Sequence, residues 1–226
     1  MTYETLSDVI ADELFVRADL DLRRGRHISA SNDIFLYTFL VESQHLLEPF
    51  YAAYRVRLMF GSEGYFYLLP DLNVTPAPLG SHKLTILEML TGQTIALMRL
   101  DPKWLATDGR IPEMSILEFM EHILGQEGLL GLTGRKRGRD RENEAKNLRE
   151  QFASALRTLK ALGFIGREGK STSAVVLPQT SIMRFADPVR GSEPQSEAIE
   201  RLIREGEIED FAGEADADVA TSSDDE

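Results

Sequence analysis

The sequence predicts an α+β protein, mostly helical, made of two similar units in tandem, followed by one more helix and an acidic end segment. Three observations predict it. Segments with apolar residues at helical spacing dominate the 226 residues. In two places the apolar period changes to two around a glycine-bearing turn. The order helix–helix–hairpin occurs on both sides of "DLNVTPAPLG" (71–80), whose prolines mark a linker.

The elements follow in chain order. Leu6, Ile10 and Leu14 recur every four residues and predict a helix over about 5–24, ending near Gly25. Ser31 or Asn32 caps a second helix, whose stripe is Phe35, Phe39, Leu46, Phe50 and Tyr54. Pro49 is expected to kink it or to mark a second start. In "RVRLMF" (55–60) Val56, Leu58 and Phe60 alternate with Arg55, Arg57 and Met59; "GSEG" turns the chain and "YFYLLP" returns it, giving a β-hairpin. Beyond the linker, a helix is expected over 81–100, a short strand at Arg110–Ile111, a helix over 113–124 and a long helix over 142–162. A second hairpin follows in "GFIGRE", "GKSTS" and "AVVLP". After a short connection (180–191), Ser192 caps an amphipathic helix over 192–206 whose sticky side is Ile199, Leu202 and Ile203; residues 207–226 read as a disordered acidic tail. Helices followed by a hairpin are the order of a winged helix, a helix-turn-helix variant. The expected domains are 1–75, divergent or shortened, and 81–185.

Composition narrows the function. With no cysteine, disulfides and thiolate metal sites are excluded and a reducing cytoplasm fits. "MTYETLSDVIADEL" lacks the basic and apolar regions of a secretory signal. The longest near-apolar run, "KLTILEMLTGQTIALMRL", is broken by Glu88, Gly92 and Gln93, so it reads as a core helix and not a membrane span. The formal net charge is -12, but it is unevenly placed. Residues 135–170 hold 11 Lys/Arg against 5 Asp/Glu, a charge of +6, whereas residues 192–226 hold 2 against 13, a charge of -11. A basic island in an acidic chain is a hint of polyanion binding.

That island begins with "GRKRGRDRENEAKNLRE" (134–150). Arg135, Lys136, Arg137, Arg139 and Arg141 stand on a glycine-punctuated loop. On the helix that follows, Leu148, Phe152, Ala155, Leu156, Leu159 and Leu162 share one side, and Lys146, Arg149, Arg157 and Lys160 fall within about 80° of one another on another side. Loop and stripe lie where a winged helix meets DNA. Asn143 and Asn147 are the side chains there suited to base edges, and three glutamates (Glu142, Glu144, Glu150) dilute the helix. Sequence-independent, salt-dependent binding is therefore expected. The plainer alternative is a solvated helix face beside a loop.

Other chemistry is not visible. His27, His45, His82 and His122 have no ligand spacing and read as surface or helix-packing residues. GxGxxG, GxxxxGK[ST] and GxSxG are absent, so no cofactor or catalytic residue is assigned. Trp104 reads as a packing anchor between helices.

The segments "DLRRGRHI" (21–28), "LEPFYAAYRVRLMFGSEGYFYLLP" (47–70), "LRTLKALGFI" (156–165), "MRFADPVRG" (183–191) and "AIERLIREGE" (198–207) occur in an order that resembles the MukE and MksE subunits of MukBEF-type bacterial condensins. The resemblance spans nearly the whole chain and is looser over 71–142. It implies a non-enzymatic homodimer with two winged-helix domains. The partners it implies are a MukF-like kleisin, through that a MukB-like SMC ATPase, and DNA, in a cytoplasmic, nucleoid-associated role in chromosome condensation and segregation. No membrane or small-molecule substrate is implied. Met59, Tyr65 and Tyr67 on the first wing, with Ile199, Leu202 and Ile203, are candidate partner contacts. The dense "RKRGRDR" loop departs from the family pattern, so MukE, MksE and the equivalent subunit of a Wadjet-type plasmid-defence complex stay open. A free-standing winged-helix transcriptional regulator is the alternative outside the family.

Overall fold

A computed structural model describes residues 3–71, 73, 78–79, 83–106, 108–131, 141–169 and 174–186. The architecture is α+β and mostly helical, with two small antiparallel sheets. The expected helix over 192–206 and the tail over 207–226 lie outside the described residues.

The first sheet belongs to the N-terminal half. Helices α1 (Leu6–Ala11) and α2 (Glu13–Arg23) replace the one helix expected over 5–24. The break has a local cause. Thr5 and Asp8 form a capping box that starts α1, and Asp12 restarts the chain by accepting from the backbone N–H of Leu14 at 2.8 Å. Tyr3 donates its hydroxyl to the same carboxylate at 2.7 Å and fixes the corner. After β1 (Ile28–Ser29), α3 runs from Ile34 to Ala52, capped by Asp33 rather than Ser31 or Asn32. It continues through Pro49 as one helix. Proline costs most in a helix interior; here it stands one turn from the end. Strands β2 (Val56–Gly61) and β3 (Tyr65–Pro70) form the expected hairpin, with Leu58 opposite Leu68, and β1 pairs with the other edge of β3. The strand order is β1-β3-β2.

The C-terminal half has the corresponding sheet. Thr85 and Glu88 cap α4 (Ile86–Leu100), which is followed by α5 (Pro102–Leu105), β4 (Ile111–Pro112) and α6 (Glu113–Gly131). Helix α6 extends beyond the expected end near residue 124 across a kink at Gly125, whose φ is 70°. Helix α7 (Arg141–Ala161) leads into β5 (Ile165–Glu168) and β6 (Val175–Pro178), and the order is β4-β6-β5. A 3-10 helix (Thr180–Ala186) occupies part of the expected connection. In both halves the hairpin's second strand is central, an arrangement compatible with a winged helix.

Each half has its own core. One gathers Leu22, Ile28, Leu36, Leu40, Tyr51 and Phe66; the other gathers Ile95, Ile111, Ile116, Leu156, Leu159 and Val176. Trp104 packs against the second as a partly buried anchor. No helix among the described residues is long and apolar enough to cross a membrane.

Candidate functional site

Helix α7 has the two faces its sequence predicts. Leu148, Phe152, Ala155, Leu156 and Leu159 are buried, while Lys146, Arg149, Arg157 and Lys160 are exposed. At a rise of 1.5 Å per residue the stripe from Lys146 to Lys160 is about 21 Å long. Among the described residues no carboxylate forms an ion pair with these four cations. Arg135, Lys136, Arg137 and Arg139 lie outside the described residues, and the backbone of Arg141 opens α7.

The stripe ends in an open groove of about 530 Å³ that the two halves form together. One wall is the end of α7, with Arg157, Lys160, Ala161 and Leu162; the other is the end of α2, with Asp21, Arg24 and Arg26. Four cations and one carboxylate therefore line it. Asp21 accepts from the Arg26 guanidinium at 2.7 Å and aims that side chain. Arg24 has no such partner among the described residues and is exposed.

Both walls are helix ends of the same type. At the end of α2, Gly25 has φ +80° and donates to the Leu22 carbonyl, and Arg26 donates to the Asp21 carbonyl. At the end of α7, Gly163 has φ +78° and donates to the Lys160 carbonyl, and Phe164 donates to the Leu159 carbonyl. These are Schellman ends, and the left-handed glycine is what each requires. A helix C-terminus carries partial negative charge, which favours cations in its last turn. The arginines and the lysine offset that charge and reach past it into the groove.

The two ends pack against each other. A Cβ on Gly25 would lie 3.5 Å from the Leu162 side chain, and one on Gly163 would lie 2.3 Å from the His27 carbonyl oxygen. Around this contact is a polar and aromatic joint. The His27 backbone N–H donates to Leu162 O at 2.8 Å, and its Nδ1 faces the same oxygen at 3.2 Å. Its Nε2 lies 2.8 Å from Nη1 of Arg184. Since a guanidinium only donates, Nε2 accepts and the proton is assigned to Nδ1. Asn32 Nδ2 donates to the carbonyls of His27 and Gly163 at 2.8 and 3.2 Å, so one amide holds both halves. The His27 ring lies 4.2 Å from that of Phe164, and Arg184 sits 4.2 Å above the Tyr67 ring. Burial, and then the charge of Arg184, hold the His27 pKa well below its ordinary value.

The wing residues taken from the sequence as partner contacts fall differently. Tyr65 is buried and, with Tyr67, packs on His27. Tyr65 is thus covered within the joint, and Tyr67 is half-buried at its edge. Met59 is half-buried on β2. Ile199, Leu202 and Ile203 lie outside the described residues. The sequence reading also missed Arg24 and Arg26 as cations facing α7. The available signal was a cation within three residues of a glycine in both "LRRG" and "KALG", which identifies two like helix ends but not their contact.

Comparison with known proteins adds a family. The model of the MukE-like family matches residues 2–226. The chain is 33% identical over 203 residues to the chromosome partition protein MukE of Pasteurella multocida (strain Pm70), covering 89% of this chain and 81% of that protein. Against the chromosome partition protein MukE of Escherichia coli (strain K12) the identity is 33% over 202 residues, covering 89% and 84%. Against that of Haemophilus ducreyi it is 32% over 203 residues, covering 89% and 83%.

Proposed function

Because the chain belongs to the MukE-like family, we propose that it is a non-catalytic chromosome-partition subunit of the MukBEF type that contacts duplex DNA without sequence preference. Its two units, residues 1–75 and 81–185, are read as winged-helix domains. In the same reading it binds a MukF-like kleisin, acts through it on a MukB-like SMC ATPase, pairs with a second copy of itself, and works in the cytoplasm at the nucleoid.

One observation supports the DNA contact above the rest: a stripe of exposed cations on α7 that continues across a groove to Arg24 and Arg26. Phosphate contacts of this kind position a protein and carry no sequence information. The surrounding acidity weakens such contacts over distance, and salt weakens them further. Binding by the isolated chain is therefore weak, and the partners of the complex hold DNA in place.

The test is fluorescence anisotropy on unrelated duplexes over a series of salt concentrations. Wild type binds each duplex alike and weakly, with a steep salt dependence. Replacing Arg157 and Lys160 by glutamine removes two phosphate contacts and lowers the slope of log K against log salt by about 2. One tight preferred site at moderate salt, or an unchanged slope in the variant, overturns the DNA contact. Co-purification with a kleisin subunit from the same genome checks the partner, and failure to bind it counts against the assembly.

A further inference from the structure

We infer that the joint is a positioning device for the groove: His27, Asn32, Gly163 and Arg184 set the spacing between the cations of α2 and those of α7. The inference rests on the DNA reading above.

Arg24 and Arg26 belong to the N-terminal half, and Arg157 and Lys160 belong to the other, more than 130 positions along the chain. Each pair lies within a few residues of a bond that crosses between halves. Arg26 precedes His27, whose backbone N–H reaches Leu162, and Lys160 lies three residues before Gly163, whose carbonyl accepts from Asn32. Leu162 belongs to both features: it lines the groove, and its carbonyl accepts from the His27 backbone N–H at 2.8 Å. The 3-10 helix ties the same place again, through Arg184 to His27 and through the Thr180 N–H to Ser31 Oγ at 3.4 Å.

A duplex presents phosphates at fixed spacing. Two cation pairs held at one separation meet it together, whereas two pairs on loosely linked halves must be ordered at binding, and that ordering weakens affinity. The joint residues carry none of the contact charge in this scheme. Their effect on DNA is indirect and separable from that of the cations.

The chain has no cysteine, so Thr38→Cys on α3 and Ser154→Cys on α7, both exposed, take two spin labels cleanly in the full-length protein. The joint variants are Asn32→Ala with Arg184→Gln, and separately Gly163→Ala, in which the added Cβ collides with the His27 carbonyl. The charge variants are Arg24→Gln with Arg26→Gln, and Arg157→Gln with Lys160→Gln. In the joint variants the label distance distribution is expected to broaden and duplex affinity to fall several-fold. In the charge variants the distribution stays narrow while affinity and salt slope both fall. Should Gly163→Ala fail to fold, the Asn32/Arg184 pair carries the test. A broadened distribution with unchanged affinity overturns the positioning role, and so does a distribution that stays narrow in both joint variants. Charge variants that bind DNA like wild type bring down the DNA reading itself, and the positioning claim with it. The label distances then report on the joint alone, so the two failures are told apart.

Discussion

His27 shows how far one side chain can depend on residues distant in sequence. Two of its polar partners are the carbonyl of Leu162 and the guanidinium of Arg184, 135 and 157 positions away. Nothing around "RGRHI" announces them, which is why the sequence gives His27 no more weight than His45 or His122. The charged and titratable groups packed on it are Arg184 from the 3-10 helix and Tyr65 and Tyr67 from β3. Protonation would abolish the acceptor at Nε2 and place a second positive charge beside Arg184. The sign follows from linkage. The folded pKa is depressed, so the unfolded chain takes up the proton first as pH falls. The full contribution of neutral His27 is present above about pH 6.5, the ordinary histidine value, and it is lost as pH falls toward the folded value. Melting curves at pH 7.5 and 5.5 check this. Wild type is expected to lose more on acidification than His27→Gln, in which the carboxylates titrate as before but this site does not. Equal losses would mean that His27 makes no such contribution.

At the scale of elements, periodicity placed the faces of α7 but not that of α3, which buries Leu36, Phe39, Leu40, Leu47 and Tyr51 while Phe35 and Tyr54 of the expected stripe are exposed. The stripe and core face of α7 lie where 100° per residue places them, and the hairpin of β2 and β3 follows the alternation in "RVRLMF". It failed where a local bond outweighed it. Asp12 recaps the chain and splits the first helix, and α3 tolerates Pro49 because few of its bonds lie beyond that point. Helix α4 carries a constraint that apolar spacing does not reveal. A Cβ on Gly92 would stand 2.6 Å from the ring of Phe185, which is itself edge-on to Phe164 at 4.8 Å. Gly92→Ala gains about 1 kcal/mol of helix propensity, but overpacking costs about 1–3 kcal/mol. With the Phe185 ring confined between two elements the second effect wins, for a net loss of about 1 kcal/mol. Chemical denaturation is expected to show a lower midpoint at unchanged m-value; a raised midpoint would show that Phe185 moves aside freely.

At the scale of the whole molecule, the described residues form two cores, two similar sheets and a joint between the halves. Coupling through the joint has a thermodynamic signature. Wild type is expected to unfold in a single calorimetric transition with matching calorimetric and van't Hoff enthalpies. The Asn32→Ala/Arg184→Gln variant should resolve into two transitions, and two transitions already present in wild type would show that the halves are not coupled. Much of the architecture was legible from the chain alone. Hydrophobic period, caps and turn glycines are local properties, so the element order, the mixed α+β class and the cations of α7 could be read directly, and a family resemblance could be placed on named segments. The other wall of the groove could not be read. Arg24 and Arg26 approach Arg157 and Lys160 only because two helix ends, each turned by a left-handed glycine, pack against one another. That contact depends on long-range shape and burial, for which the sequence has no period. So the sequence by itself determined which residues are cationic and which face of α7 they occupy, while the tertiary structure decided which of them share a groove and buried His27 where the halves meet.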